Sequence, residues 1–86
     1  VPIKSYTPDF YLMDYGFYLE LKGNLDVTDR VKHLLVKEQN EDLDVRFIFP
    51  NSKKKIYKGS KTTYAAWCDR HGFLYADNRI PNIWLK

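Results

Sequence analysis

A single cysteine, Cys68, is all the thiol the chain possesses, so no intrachain disulfide can hold it, which fits a reducing compartment. Four glycines and four prolines in 86 residues form no Gly/Ser-rich linker and no low-complexity tract, and no internal repeat occurs. No apolar run approaches the length of a membrane span, and no signal peptide is present. The chain does not open on methionine; a fragment or processed product, truncated at both ends, is expected. Wholesale disorder is excluded too. Seven Tyr, five Phe and two Trp supply enough apolar surface to offset the entropy of ordering one small domain, 1–86.

What is abundant is charge, and it is unevenly placed. Residues 1–45 carry five Lys/Arg against nine Asp/Glu; residues 46–86 carry nine against two. An acidic half beside a basic half suits a cation on one side and an anionic partner on the other. Ordinary solubility accounts for such charges equally well.

Tyr6 to Met13 reads as a strand, Asp14-Tyr15-Gly16 as a turn and Phe17 to Lys22 as a returning strand. Alternation sets Thr7, Asp9 and Tyr11 on one face of the first strand, and Tyr18, Glu20 and Lys22 on one face of the second. Glu20 and Lys22 are then neighbours, about 6–7 Å apart. Asp26 or Thr28 caps a helix over 27–39, with Val27, Val31, Leu34 and Leu35 as its buried stripe. Leu43 to Phe49 reads as a central strand, because its run is nearly all apolar. Thr62 or Thr63 opens a second helix that His71-Gly72 closes. Phe73 to Ala76 forms a short strand, and Pro81 to Lys86 a terminal turn or short helix. The order β-β-α-β-α-β makes a mixed sheet with helices against it.

Two constellations could carry chemistry. Asp9, Glu20 and Lys22 offer hard oxygen ligands for Mg²⁺ and an ammonium for a phosphate oxygen or a water. Many solvated strand faces hold such a trio. Lys53, Lys54, Lys55, Lys58 and Lys61, beside Gly59 and Ser60, form a flexible cationic loop suited to phosphates, with Arg30 and Lys32 as weaker candidates. A loop kept soluble by charge is the alternative. Cys68, Asp69 and His71 make no credible zinc site; His33 could face the site, but a lone helix histidine is more often a surface or partly buried residue. Trp67, Trp84, Tyr64 and Tyr75 could stack on exposed bases, but core packing is the safer assignment.

Tyr6-Thr7-Pro8-Asp9-Phe10 followed by Glu20-Leu21-Lys22-Gly23 resembles the motif of the PD-(D/E)xK nuclease superfamily. More narrowly, the chain resembles the phage endonuclease I family of Holliday-junction resolvases. The likeness continues through Asp29-Arg30, Lys32-His33-Leu34-Leu35, Glu38-Gln39, Tyr57-Lys58-Gly59-Ser60, Tyr64, Cys68, His71-Gly72, Ala76-Asp77, Ile80-Pro81 and Trp84. It implies a restriction-endonuclease-like α/β core, a central mixed sheet flanked by helices, with the family's N-terminal helix missing from this chain. It also implies a phage-encoded hydrolase of the bacterial host cytoplasm, a homodimer with exchanged N-terminal segments, that nicks branched DNA during recombination. Asp9 and Glu20 match the family's metal-binding carboxylates and Lys22 its catalytic lysine; the Leu21 carbonyl is a further ligand for Mg²⁺ or Mn²⁺. The product ends implied are 5′-phosphate and 3′-hydroxyl.

The chain departs from that family in three places. The further catalytic glutamate of an upstream helix does not stand before Val1, so either the parent protein carries it upstream or this chain alone is impaired; the family's basic tail is likewise absent after Lys86. The interval from Asp9 to Glu20 is one residue longer than expected, which a hairpin turn can absorb. A homing nuclease on the same core, acting on a specific duplex site, is one rival reading. A non-catalytic DNA-binding fragment is the other, and the missing glutamate favours it.

Overall fold

A computed structural model describes residues 8–86; Tyr6 and Thr7 of the expected first strand lie outside them. Strand β1 (Phe10–Leu12) turns back through 13–16 into β2 (Phe17–Leu21). The amides of Tyr15 and Gly16 both donate to the Leu12 carbonyl, and Gly16 takes φ +74°, a left-handed conformation that glycine adopts at little cost. Helix α1 (Val27–Gln39) follows, its first turn capped by the Asp26 carboxylate, which accepts from the Asp29 amide at 2.9 Å. Strand β3 (Val45–Phe49) leads to α2 (Tyr64–His71), which Thr63 caps and Gly72 ends at φ 74°. Strand β4 (Leu74–Asp77) and a 3-10 turn over Asn82–Leu85 complete the chain. The third and fourth strands start later than expected, at Val45 and Leu74.

The sheet order is β1-β2-β3-β4, with β1 antiparallel to β2 and the other pairs parallel. Right-handed crossovers that step steadily in one direction must carry their helices over the same face. So α1 and α2 share one face of the sheet, where sequence analysis expected helices to flank it. Beneath them Leu25, Val45, Phe47, Phe49, Tyr64, Trp67, Cys68 and Phe73 form the main core. Phe47 and Phe49 are fully buried, each contributing ~1.5–3 kcal/mol by the area it removes from water. The opposite face carries a smaller cluster of Phe17, Leu19 and Ile48, closed over by Ile80 and Trp84. Arg46 stacks there on the Phe17 ring, 4.2 Å from its centroid, while its guanidinium holds Asp44 at 2.7 Å.

Helix α1 has the expected bounds but a different buried side. Val27 and Val31 are exposed, while His33 and Val36 are each 1% exposed. The stripe that meets the sheet runs through 29, 33 and 36, and counting apolar residues missed it because its N-terminal half is polar. That half lies over the polar end of β2, where Asp29 meets Lys22.

Candidate active site

Strands β2, β3 and β4 end on the same rim, and β1 begins there. Open parallel sheets place their sites outside such carboxyl ends. Across this rim stand Asp9, the stretch 20–22, the segment 50–55 and the stretch 77–79.

The hairpin sets the first two in register. Phe10 pairs with Leu19, so one more step brings Asp9 across from Glu20. Asp9 itself leaves the ladder: its Oδ2 accepts from the Leu21 amide at 2.9 Å, replacing a backbone acceptor. In a strand, the N–H and C=O of one residue point to the same flank. The Leu21 carbonyl therefore faces the side occupied by Asp9. The Lys22 amide points the other way, to the Ile48 carbonyl at 3.0 Å.

The two carboxylates differ in surroundings. Asp9 is exposed; Glu20 is 4% exposed, on the helix-covered face, across from Phe47 in the β2–β3 register. Lys22 shares the Glu20 face two residues on, and its Nζ lies 3.4 Å from Asp29 Oδ1 in the first turn of α1. Both side chains are partly exposed, so the pair serves mainly to orient the lysine. Leu21, Lys22, Gly23, Phe49, Pro50 and Asn78 line a shallow cleft of 230 Å³ alongside.

Two carboxylates and a carbonyl are hard oxygen donors, the set that Mg²⁺ and Mn²⁺ prefer, so the residues present fit such an ion. Among the described residues no three His, Cys, Asp or Glu side chains converge.

His33 is the residue that sequence reasoning set aside. Its ring sits edge-on to Phe47, 4.9 Å between centroids, in the layer between α1 and β2–β3. Burial, and then the charges of Lys22 and Lys32, push its pKa down to about 4, against a smaller opposing effect of Asp29. It is therefore uncharged at neutral pH. Its spacing of four from Asp29 was the signal available in the sequence.

The basic segment is held rather than slack. Lys55 bridges Thr63, Ile56 N donates to the Thr62 carbonyl at 2.9 Å, and Tyr64 N to the Lys54 carbonyl at 2.9 Å. Lys53, Lys54, Lys55, Lys58 and Lys61 are all exposed, with the Lys54 ammonium on the Asn24 side chain. Arg30 is turned inward: its Nη1 donates to the carbonyls of Leu25 at 2.7 Å and Ile56 at 3.3 Å, tying the segment to α1. Lys32 is half-buried beside His33. At the other end, both Asp77 oxygens accept from the Ser52 amide, at 3.2 and 3.3 Å. Neither anchor is legible from spacing, because each joins residues brought together only by the sheet. Cys68 is fully buried and its thiol is pushed up to about 12, chiefly by burial and then by Asp69, so it is no nucleophile.

Residues 2–86 match the model of the family described as Phage endonuclease I. The chain is 53% identical over 81 residues to "Endodeoxyribonuclease 1" of Enterobacteria phage T3, covering 94% of this chain and 53% of that protein. It is 48% identical over 82 residues to "Endonuclease I" of Escherichia phage T7, covering 95% of this chain and 54% of that one. It spans about half the length of these two relatives. The chain belongs to the phage endonuclease I family.

Proposed function

We propose that this member of the phage endonuclease I family is the nuclease core, over 1–86, of a metal-dependent endodeoxyribonuclease built on the PD-(D/E)xK plan and acting on branched DNA. The observation that carries this reading is the β1–β2 register, which brings Asp9 across from Glu20 and leaves Lys22 on the adjoining position. The names of the two phage relatives support a nuclease of phage origin; action in the bacterial host cytoplasm is part of the same proposal.

Asp9, Glu20 and the Leu21 carbonyl would hold Mg²⁺ or Mn²⁺. Held there, such an ion would acidify a water and offset charge on the phosphate. The residues of the chain do the rest. Lys22, oriented by Asp29, places its ammonium on a non-bridging phosphate oxygen or on the attacking water. Attack forms a new P–O bond and breaks the bond to the 3′-oxygen, leaving a 5′-phosphate and a 3′-hydroxyl. The exposed lysines of 53–61 hold the duplex arms by their phosphates, which fixes position without reading sequence. Paired nicks across a four-way junction need two sites, hence a homodimer; exchanged N-terminal segments are part of that reading.

The test is cleavage and binding by the full-length protein on a four-way junction and on linear duplexes of several sequences. Asp9→Ala and Lys22→Ala should abolish cleavage and leave junction binding within a few-fold. Preference for one linear sequence would point to a homing nuclease. Binding with no cleavage by the wild type in Mg²⁺ would point to a recognition module.

A further inference from the structure

The aromatic residues that composition made eligible to stack on bases are largely committed elsewhere. Tyr64 and Trp67 are buried, Trp84 packs edge-on to Phe17 and Tyr75 lies against Phe49. The aromatic ring that the basic segment does present is Tyr57, which is 61% exposed and has no ring contact among the described residues. It lies on the wall of a cleft of 630 Å³, with Asn24, Asp26, Lys55, Lys58 and Gly59 around it.

Two features make this more than an exposed tyrosine. The backbone beneath the ring is fixed: Arg30 holds the Ile56 carbonyl at 3.3 Å, and Ser60 N donates to the Tyr57 carbonyl at 3.0 Å. A ring on a fixed backbone has only two side-chain torsions to lose when it meets a partner. The cleft is also cationic. Lys54, Lys55 and Lys58 line it with the ring, the Lys54 ammonium resting on the Asn24 side chain, and Asp26, the one acid of the lining, is occupied in capping α1. A phosphate is drawn to these lysines, which leaves the ring beside it for a flat polar group attached to that phosphate.

We infer that Tyr57 stacks on an unpaired base of the DNA, one unstacked at a branch point, while Lys55 and Lys58 hold the phosphate beside it. This rests on the proposed nuclease reading and names an interaction that reading does not contain. Stacking on an aromatic side chain tolerates every base, so it adds preference for branched or single-stranded DNA without sequence specificity.

The experiment measures binding of the full-length protein to a four-way junction, a single strand and a linear duplex over a range of salt. Tyr57→Ala should weaken junction and single-strand binding roughly 5- to 150-fold, leave duplex binding unchanged, and keep the slope of log affinity against log salt. Tyr57→Phe should bind as the wild type does. Lysine removal has the opposite signature, because each phosphate no longer neutralised lowers that slope by about 0.9. Junction binding by Tyr57→Ala within twofold of wild type overturns the assignment, as does a lowered slope or a Phe variant as weak as Ala. Wild type that binds no DNA overturns the nuclease reading as well, so the two failures are told apart. The ring is exposed, and an unchanged melting temperature checks that Tyr57→Ala folds.

Discussion

Acidification from pH 7 to pH 5 should destabilise the protein through His33. The ring is 1% exposed and its pKa falls from 6.5 to about 4, by burial first and by Lys22 and Lys32 next. In the unfolded chain the same group titrates near its ordinary value. Between those two values the unfolded state binds the extra proton, so stability is fully present above about pH 6.5 and is lost as pH falls toward 4. The whole interval corresponds to about 3 kcal/mol at 1.36 kcal/mol per pH unit, of which ~2 kcal/mol is gone by pH 5. Urea unfolding at half-unit steps of pH reads the slope directly. His33→Gln should flatten it over this window, whatever the variant does to absolute stability. His71, lowered in the same direction by burial and then by Arg70 and Lys37, is separated by repeating the series in His71→Asn. The NMR titration of the His33 ring is the second reading. A midpoint near 6.5, or a wild-type stability that is flat from pH 7 to pH 5, would refute the argument.

Other perturbations probe the anchors and the loop. Arg30→Ala leaves the Leu25 and Ile56 carbonyls without their donor; it should cost about 1–3 kcal/mol and speed amide exchange of Ile56 and Ser60. Replacing Lys53, Lys54 and Lys55 by alanine should weaken junction binding and lower the salt slope by roughly 0.9 for each phosphate those lysines neutralise, and an unchanged slope would remove that loop from the interface. Cys68, fully buried with its thiol pushed up to about 12, should resist iodoacetamide at pH 8 in the native protein and react once urea unfolds it.

Local signals were readable where a side chain meets its own backbone. The bounds of α1 follow from the Asp26 cap and the helical period, and the end of α2 follows from Gly72. The pairing of Asp9 with Glu20 was within reach because a turn at 13–16 fixes a hairpin register. That pairing still required the family likeness to give Asp9 a purpose. What could not be read was which side of α1 is buried. Val27 and Val31 look like core residues, yet the sheet presents Lys22 to the helix, and Asp29 and His33 answer it. Arg30 looked like a phosphate ligand because its charge was visible and the two carbonyls it holds were not. Tyr57 was not weighed as a stacking ring for a similar reason: exposure is a property of the folded segment, and Tyr64 and Trp67 offered the same ring chemistry in the sequence.

The central claim is that Asp9, Glu20 and Lys22 form one hydrolytic site on the rim of the sheet. Its most direct test is Glu20→Gln in the full-length protein, which keeps the shape of a buried side chain and removes its charge. Single-turnover cleavage of a four-way junction in Mg²⁺ should fall by at least about 10²-fold, with junction affinity held within a few-fold. Cleavage at the wild-type rate by Glu20→Gln would contradict the account.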